Sequence, residues 1–178
     1  MRSWNVLATA IEGERAALQS ALKRLARFGG GGYRNILVAD VDDVPRFLDD
    51  LGAALATDAR LRLGLARIVP VEATLHFDPD DAVPALAAAA EAFLDRLAGG
   101  SFYVRLERRG LKGTVHSAVV ERGVGEHIFR RLEEQGRAAR VDFADPDHVL
   151  AIETLGDHAG LGLISRALRA RHPFVRIS

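Results

Sequence analysis

The period of the hydrophobic positions changes along the chain, and each change marks an element. Residues 5–11 (NVLATAI) form a short apolar run that predicts a first strand. Over 14–28, Leu18, Leu22 and Leu25 align with Ala17, Ala21 and Phe28, while Arg15, Lys23 and Arg27 fall towards the other side. That spacing predicts an amphipathic helix, stopped by the four glycines at 29–32. A second strand is predicted over 35–41 (NILVADV). Pro45 then opens a helix with Phe47, Leu48, Leu51 and Leu55 on its inner face, since a first-turn nitrogen needs no hydrogen-bond partner. Residues 68–77 (IVPVEATLHF) read as one extended stretch, with Pro70 favouring an edge or a strand start.

Residues 78–81 read as a turn, and an alanine-rich helix is predicted over 82–97, closed by Gly99 and Gly100. The following stretch, 101–113 (SFYVRLERRGLKG), alternates. Phe102, Val104 and Leu106 share one face, and Tyr103, Arg105 and Glu107 the other. Arg108, Arg109 and Lys112 follow, where Gly110 and Gly113 allow a tight turn. Residues 114–136 read as helix, with Val124, Ile128 and Leu132 at helical spacing and a break or kink at Gly123 and Gly125. A short strand at 140–143, a turn at 145–147, strands at 148–155 and 160–165 and a basic tail complete the chain. Strand content first ends near 77–80, where an acidic, proline-containing turn begins. This predicts a boundary between 1–77 and 78–178.

Composition changes this picture little. A chain of 178 residues fits one domain or two small ones, and 48% hydrophobic with 27% charged residues is ordinary for a globular protein. The absence of cysteine excludes disulfides, thiolate metal sites and a cysteine nucleophile. The N-terminus lacks the order of a signal peptide. The most apolar run, 85–92, is broken by Glu91 and followed by Asp95 and Arg96, so no membrane segment is predicted and the expected location is cytoplasmic. The 24 basic and 24 acidic side chains balance, which counts against nucleic-acid binding. The charges are segregated, however. Asp40, Asp42, Asp43, Asp49 and Asp50 form one acidic block, and Asp78, Asp80 and Asp81 another. Arg166, Arg169, Arg171 and Arg176 lie in a final segment without acids, so a neutral chain can still present a basic face.

Candidate chemistry is sparse. The glycines at 29–32 follow a helix and precede a strand with no lysine after them, the reverse of a phosphate-binding loop. Gly-Val-Gly at 123–125 lacks the preceding strand and third glycine of a dinucleotide site. Asp145, Asp147 and His148, with Asp157 and His158 nearby, resemble hard-metal ligands, but a turn with Asp145 first and Pro146 second explains the same residues. His116 and His127 stand too far apart to form a catalytic pair, and no nucleophile–base arrangement is present. No catalytic residue, cofactor or metal is therefore predicted. Arg105, Arg108, Arg109 and Lys112 concentrate positive charge around a single acid. Arginine forks onto phosphate and stacks on bases, which favours RNA.

The order RIVPVE (67–72), a long helix, FYVRLERRG, a helix, VDFADPDHVLAIE and GLGLISR resembles the THUMP-domain family. Val141, Asp142, Phe143, Pro146 and Asp147 occupy the family's Val-Asp turn, and Ala151, Ile152 and Glu153 the strand after it. Arg34-Asn35 before a strand is similar to the ferredoxin-like region that precedes THUMP. The resemblance covers nearly the whole chain. It implies an α+β fold, a ferredoxin-like N-terminal unit at 1–77 followed by an α/β THUMP domain at 78–178, and binding of tRNA by its acceptor end. Most members carry a modifying domain. This sequence ends about where THUMP would, as in the stand-alone adaptors that present tRNA to a separate cytidine acetyltransferase. The expectation is thus a chain that is not an enzyme, with tRNA and a separate modifying enzyme as partners. Arg105, Arg108, Arg109 and Lys112 would hold phosphate, and Arg166 and Arg169 would extend the surface. The rivals are a protein-interaction module without RNA binding and a small metal-dependent hydrolase using Asp145, Asp147 and His148.

Overall fold

The structure is a computed structural model that describes residues 3–178. The chain divides into two compact units. One runs to Val71 and takes in Leu168–Arg176, and the other holds Glu72–Ala167 with Ile177–Ser178.

In the first unit the order is β1 (Val6–Ala10), α1 (Arg15–Leu22), β2 (Gly29–Gly30), β3 (Ile36–Ala39), α2 (Val44–Thr57), α3 (Ala59–Gly64) and β4 (Leu65–Pro70). The four strands form one antiparallel sheet in the order β2-β3-β1-β4. Val6, Leu7 and Ala8 of β1 are buried, as are Leu18 and Leu22 of α1 and Phe47, Leu48 and Leu51 of α2. The helix predicted over 14–28 ends early, at Leu22. Gly29 and Gly30 do more than stop it, since they pair with Val38 and Leu37 as an edge strand. The start of α2 follows its sequence, with the Asp43 carboxylate accepting the Arg46 N–H at 3.0 Å and Pro45 in the first turn. The short α3 has a similar start at Asp58, whose carboxyl is held below its usual value by hydrogen bonds from Arg60.

The second unit contains β5 (Ala73–His76), α4 (Ala82–Ala90), α5 (Leu94–Leu97), β6 (Ser101–Glu107), α6 (Ser117–Glu134), β7 (Arg140–Val141), β8 (His148–Leu155) and β9 (His158–Ser165). Its sheet runs β5-β9-β8-β6-β7, with β6 parallel to β7 and β8 and the other pairs antiparallel. The mixed helices and sheets make this an α+β protein. Phe102, Val104 and Leu106 of β6 join Leu150 and Ile152 of β8 in a core with Leu86, Val124 and Ile128 from the helices. The predicted alternation of β6 sets this layer.

Three sequence expectations change here. The extended stretch 68–77 is two strands in two sheets. Val71 N–H donates to Asn5 O in the first sheet, and Glu72 N–H to Leu161 O in the second. The units therefore divide between Val71 and Glu72 rather than after Phe77. The alanine-rich helix is interrupted by a tighter turn at Glu91–Phe93. Helix α6 runs unbroken through Gly123 and Gly125, and of the two only Gly123 is required by close packing. A Cβ on Gly123 would lie 2.5 Å from Val83 Cγ1, whereas one on Gly125 would stand 3.9 Å from its nearest neighbour, Val104 Cγ2.

The basic tail is also ordered. It forms α7 (Arg166–Arg171), and Val175 then bridges to Ile68 within the first unit. Among the described residues no helix is long and apolar enough to cross a membrane.

The two glycines of α6 should respond oppositely to alanine. Gly125→Ala gains helix propensity without a clash and should raise stability in urea unfolding by about 0.5–1 kcal/mol. Gly123→Ala drives a methyl into Val83, whose rotamer is stiff in a helix, and should lower stability by about 1–3 kcal/mol.

Candidate nucleic-acid interface

The candidate interface is built on β6 and the turn after it. Burial of Phe102, Val104 and Leu106 turns Tyr103 and Arg105 to the opposite, half-exposed side. The Arg105 guanidinium lies over the Tyr103 ring, 5.7 Å from its centroid, and 3.8 Å from Glu121 of α6. Strand β7 covers only Ser101 and Phe102, so the rest of this edge of β6 lacks a strand partner. There the Glu121 carboxylate accepts the Leu106 N–H at 2.8 Å, replacing a ladder bond.

Beside this edge lies a cleft of about 330 Å3, lined by Phe102, Tyr103, Val104, Phe129, Val141 and Phe143 with Gly125 and Glu126 of α6. Phe143 is 74% exposed, and its ring packs on Tyr103 at 5.4 Å between centroids. Sequence reasoning noticed the aromatic beside the cations but treated Phe143 only as part of a turn. Its signal was an aromatic among acidic residues, where burial does not call for one.

The turn shows why only some of the clustered cations face solvent. Gly110 and Gly113 have φ of 80° and 90°, and Leu111 lies between them at 53°. A leucine there is strained, and its side chain is held by packing against the core. Arg108 donates to the Gly110 carbonyl. Arg109 points inward. Its Nη1 meets Glu153 Oε2 at 2.6 Å, with the two side chains only 12% and 2% exposed. Its backbone N–H donates to Thr154 Oγ1, and its carbonyl accepts from Gly156 N–H. Lys112 is exposed at the turn's tip.

Arg166 belongs to the other end of β6. Its Nε and Nη1 meet Asp145 and Asp147 at 3.0 and 2.8 Å. Asp147 in turn accepts the Ser101 N–H and hydroxyl at the strand's start. These bonds from Ser101, then Arg166, hold the Asp147 carboxyl below its usual value. Asp142 accepts the Ala144 and Asp145 N–H groups, completing the turn. A strand of this length spans about 20 Å, so Arg166 lies far from Arg108 and Lys112. Arg169 sits on α7 in the first unit. The structure thus brings Arg105, Arg108, Arg109 and Lys112 together but separates Arg166 from them. Asp145 and Asp147, which by residue type resemble metal ligands, are both paired with Arg166.

No protein-family model and no curated protein matches the chain. Solved structures do. TrmN from Thermus thermophilus is 26% identical, covers 90% of this chain and 45% of its own, and gives a TM-score of 0.66. A protein described as an N6-adenine-specific DNA methylase from Listeria monocytogenes is 21% identical, with coverage of 92% and 40% and a TM-score of 0.57. A 4-thiouridine synthetase solved with RNA and ATP is 16% identical, with coverage of 90% and 41% and a TM-score of 0.50.

These likenesses support a THUMP-like fold. They also overturn the expectation that the chain is not an enzyme. A synthetase and a methylase share its fold, and the chain spans under half the length of each. Where the sequence ends therefore gives no ground for a stand-alone binder.

Arg109→Ala removes the guanidinium that meets the buried Glu153 carboxylate at 2.6 Å, and should cost about 3–5 kcal/mol in denaturant unfolding. Lys112→Ala should stay within about 0.5 kcal/mol of the wild type. Asp147 contributes stability above its unfolded-state pKa, near 3.9, and loses it as pH falls through the lower folded value. The melting-temperature gap between wild type and Asp147→Asn should therefore be widest near neutrality and close below about pH 4.

Proposed function

We propose that the second unit is the RNA-binding part of a tRNA-modifying enzyme and holds the acceptor end while a catalytic centre acts on the bound RNA. The observation that carries this reading is the edge of β6. An aromatic pair, the half-buried Tyr103 and the exposed Phe143, lies there beside the Arg105 cation and an apolar cleft. Aromatic faces stack unpaired bases and cations hold the adjoining phosphates, which is the pattern of single-stranded RNA recognition.

In this reading Arg105, Arg108 and Lys112 contact phosphate directly, and Arg109 acts by fixing the turn that presents them. Arg166 is held by Asp145 and Asp147, and Arg169 belongs to the first unit, so neither is assigned to this surface. The β-α-β-β-α-α-β order of the first unit, with its sheet order β2-β3-β1-β4, suits the ferredoxin-like partner that the family resemblance implies. The likeness to a synthetase solved with RNA supports an RNA substrate, and the protein described as a DNA methylase among the neighbours favours methyl transfer to a nucleic acid. A separate cytidine acetyltransferase as the catalytic partner rests on the resemblance alone.

Titration with intact tRNA at varied salt tests the reading. The slope of log K against log salt should be about −2 to −4, for a handful of phosphate contacts. Removing the single-stranded 3′ end should weaken binding. Phe143→Ala should cost about 1–3 kcal/mol of affinity while leaving the melting temperature unchanged, because the ring is exposed. A flat salt dependence would favour a protein-interaction module instead.

A further inference from the structure

The other edge of the second sheet carries an unrelated cluster. Strands β5 and β9 run antiparallel, with His76 directly opposite His158. Opposed residues put their side chains on one face, and these two imidazoles meet edge to face at 4.8 Å between centroids. Asp157 stands in the turn between β8 and β9, and its carbonyl accepts the Phe77 N–H at 2.9 Å. Its carboxylate lies between the rings, with Oδ2 2.8 Å from His76 Nε2 and Oδ1 2.9 Å from His158 Nδ1. One ligand atom from each of the three residues lies within 4.8 Å of the other two. In the sheet, strand β8 lies between β9 and β6.

We propose that His76, Asp157 and His158 form a binding site for a divalent transition-metal ion of the zinc type. Two imidazole nitrogens and one carboxylate are the ligand set that zinc accepts from protein, with water completing the tetrahedron. Magnesium and calcium prefer oxygen throughout and are disfavoured by the two nitrogens. The His76, Asp157 and His158 side chains are 62%, 45% and 30% exposed, which leaves room for the water ligand.

Little rearrangement is needed. Zinc bonds of about 2.0–2.1 Å space tetrahedral donors about 3.3–3.5 Å apart, so the pairs at 2.8 and 2.9 Å open slightly while the third donor pair, within 4.8 Å, closes onto the ion. The ring protons now shared with the carboxylate leave the coordinating nitrogens, passing to the other nitrogen of each ring or to solvent. Strand pairing already holds His76 against His158, and the Phe77 bond holds the Asp157 backbone, so the ion would tie β5 to the β8–β9 hairpin.

Calorimetric titration of the full chain, freed of metal with EDTA, decides the matter. With zinc chloride the expected result is one ion per chain and a raised melting temperature, whereas magnesium chloride produces neither. His76→Ala and His158→Ala should each abolish stoichiometric binding, and Asp157→Asn should weaken it at least tenfold. His116→Ala, which removes an exposed histidine on another element, should bind as the wild type does. Equal melting temperatures of the variants and wild type in EDTA show that the fold is kept. Absence of stoichiometric zinc binding would overturn the proposal, as would binding that survives loss of both His76 and His158.

Discussion

Glu153 is a carboxylate almost fully removed from water, on the central strand β8 of the second sheet. A charge in that position must be paired and hydrogen-bonded or it destabilises the fold by several kcal/mol. Arg109 meets the requirement, and in doing so it fixes the path of the chain after β6. The turn closes over β8 through Thr154 and Gly156, which forces Leu111 into a left-handed conformation and leaves Lys112 at the tip. The position of the cationic edge is thus a consequence of neutralising one buried acid.

The same strand is secured at its beginning by a second polar device. Ser101 and Arg166 share the Asp147 carboxylate, so the Asp-Pro-Asp turn acts as a buckle between β6, β8 and the end of β9. Between the two fastenings, β6 has a covered inner face and an edge that β7 leaves mostly without a strand partner. Tyr103, Arg105 and Phe143 occupy that edge. Fastening at both ends orders the strand that carries Tyr103 and Arg105, which would favour the base stacking proposed above, since ordering before binding lowers its entropic cost.

Much of the fold was legible because its elements are locally determined. The alternation in 101–107 predicted which side chains of β6 face the core, and Asp43 with Pro45 predicted the start of α2. Errors came where a distant partner overrides local pattern. Gly29 and Gly30 form a strand only because β3 supplies its hydrogen bonds, and 68–77 splits because its halves find different sheets. Gly123 suggests a kink until Val83 is seen against it. In the cation cluster, sequence located four positive charges but had no means of identifying the one that faces inward, since Glu153 lies 44 residues away from Arg109.

What the sequence alone determined about this protein is therefore its alternation of helix and strand, the concentration of cations after β6, and a THUMP-like order of segments. Those properties depend on residues within a few positions of one another. Only the tertiary structure decided which cations are committed to acids and where the units divide. It alone set Phe143 against Tyr103 and brought His76, 81 residues earlier, into contact with Asp157. Pairing across a sheet, and the burial that makes an ion pair obligatory, arise between segments that are remote in sequence.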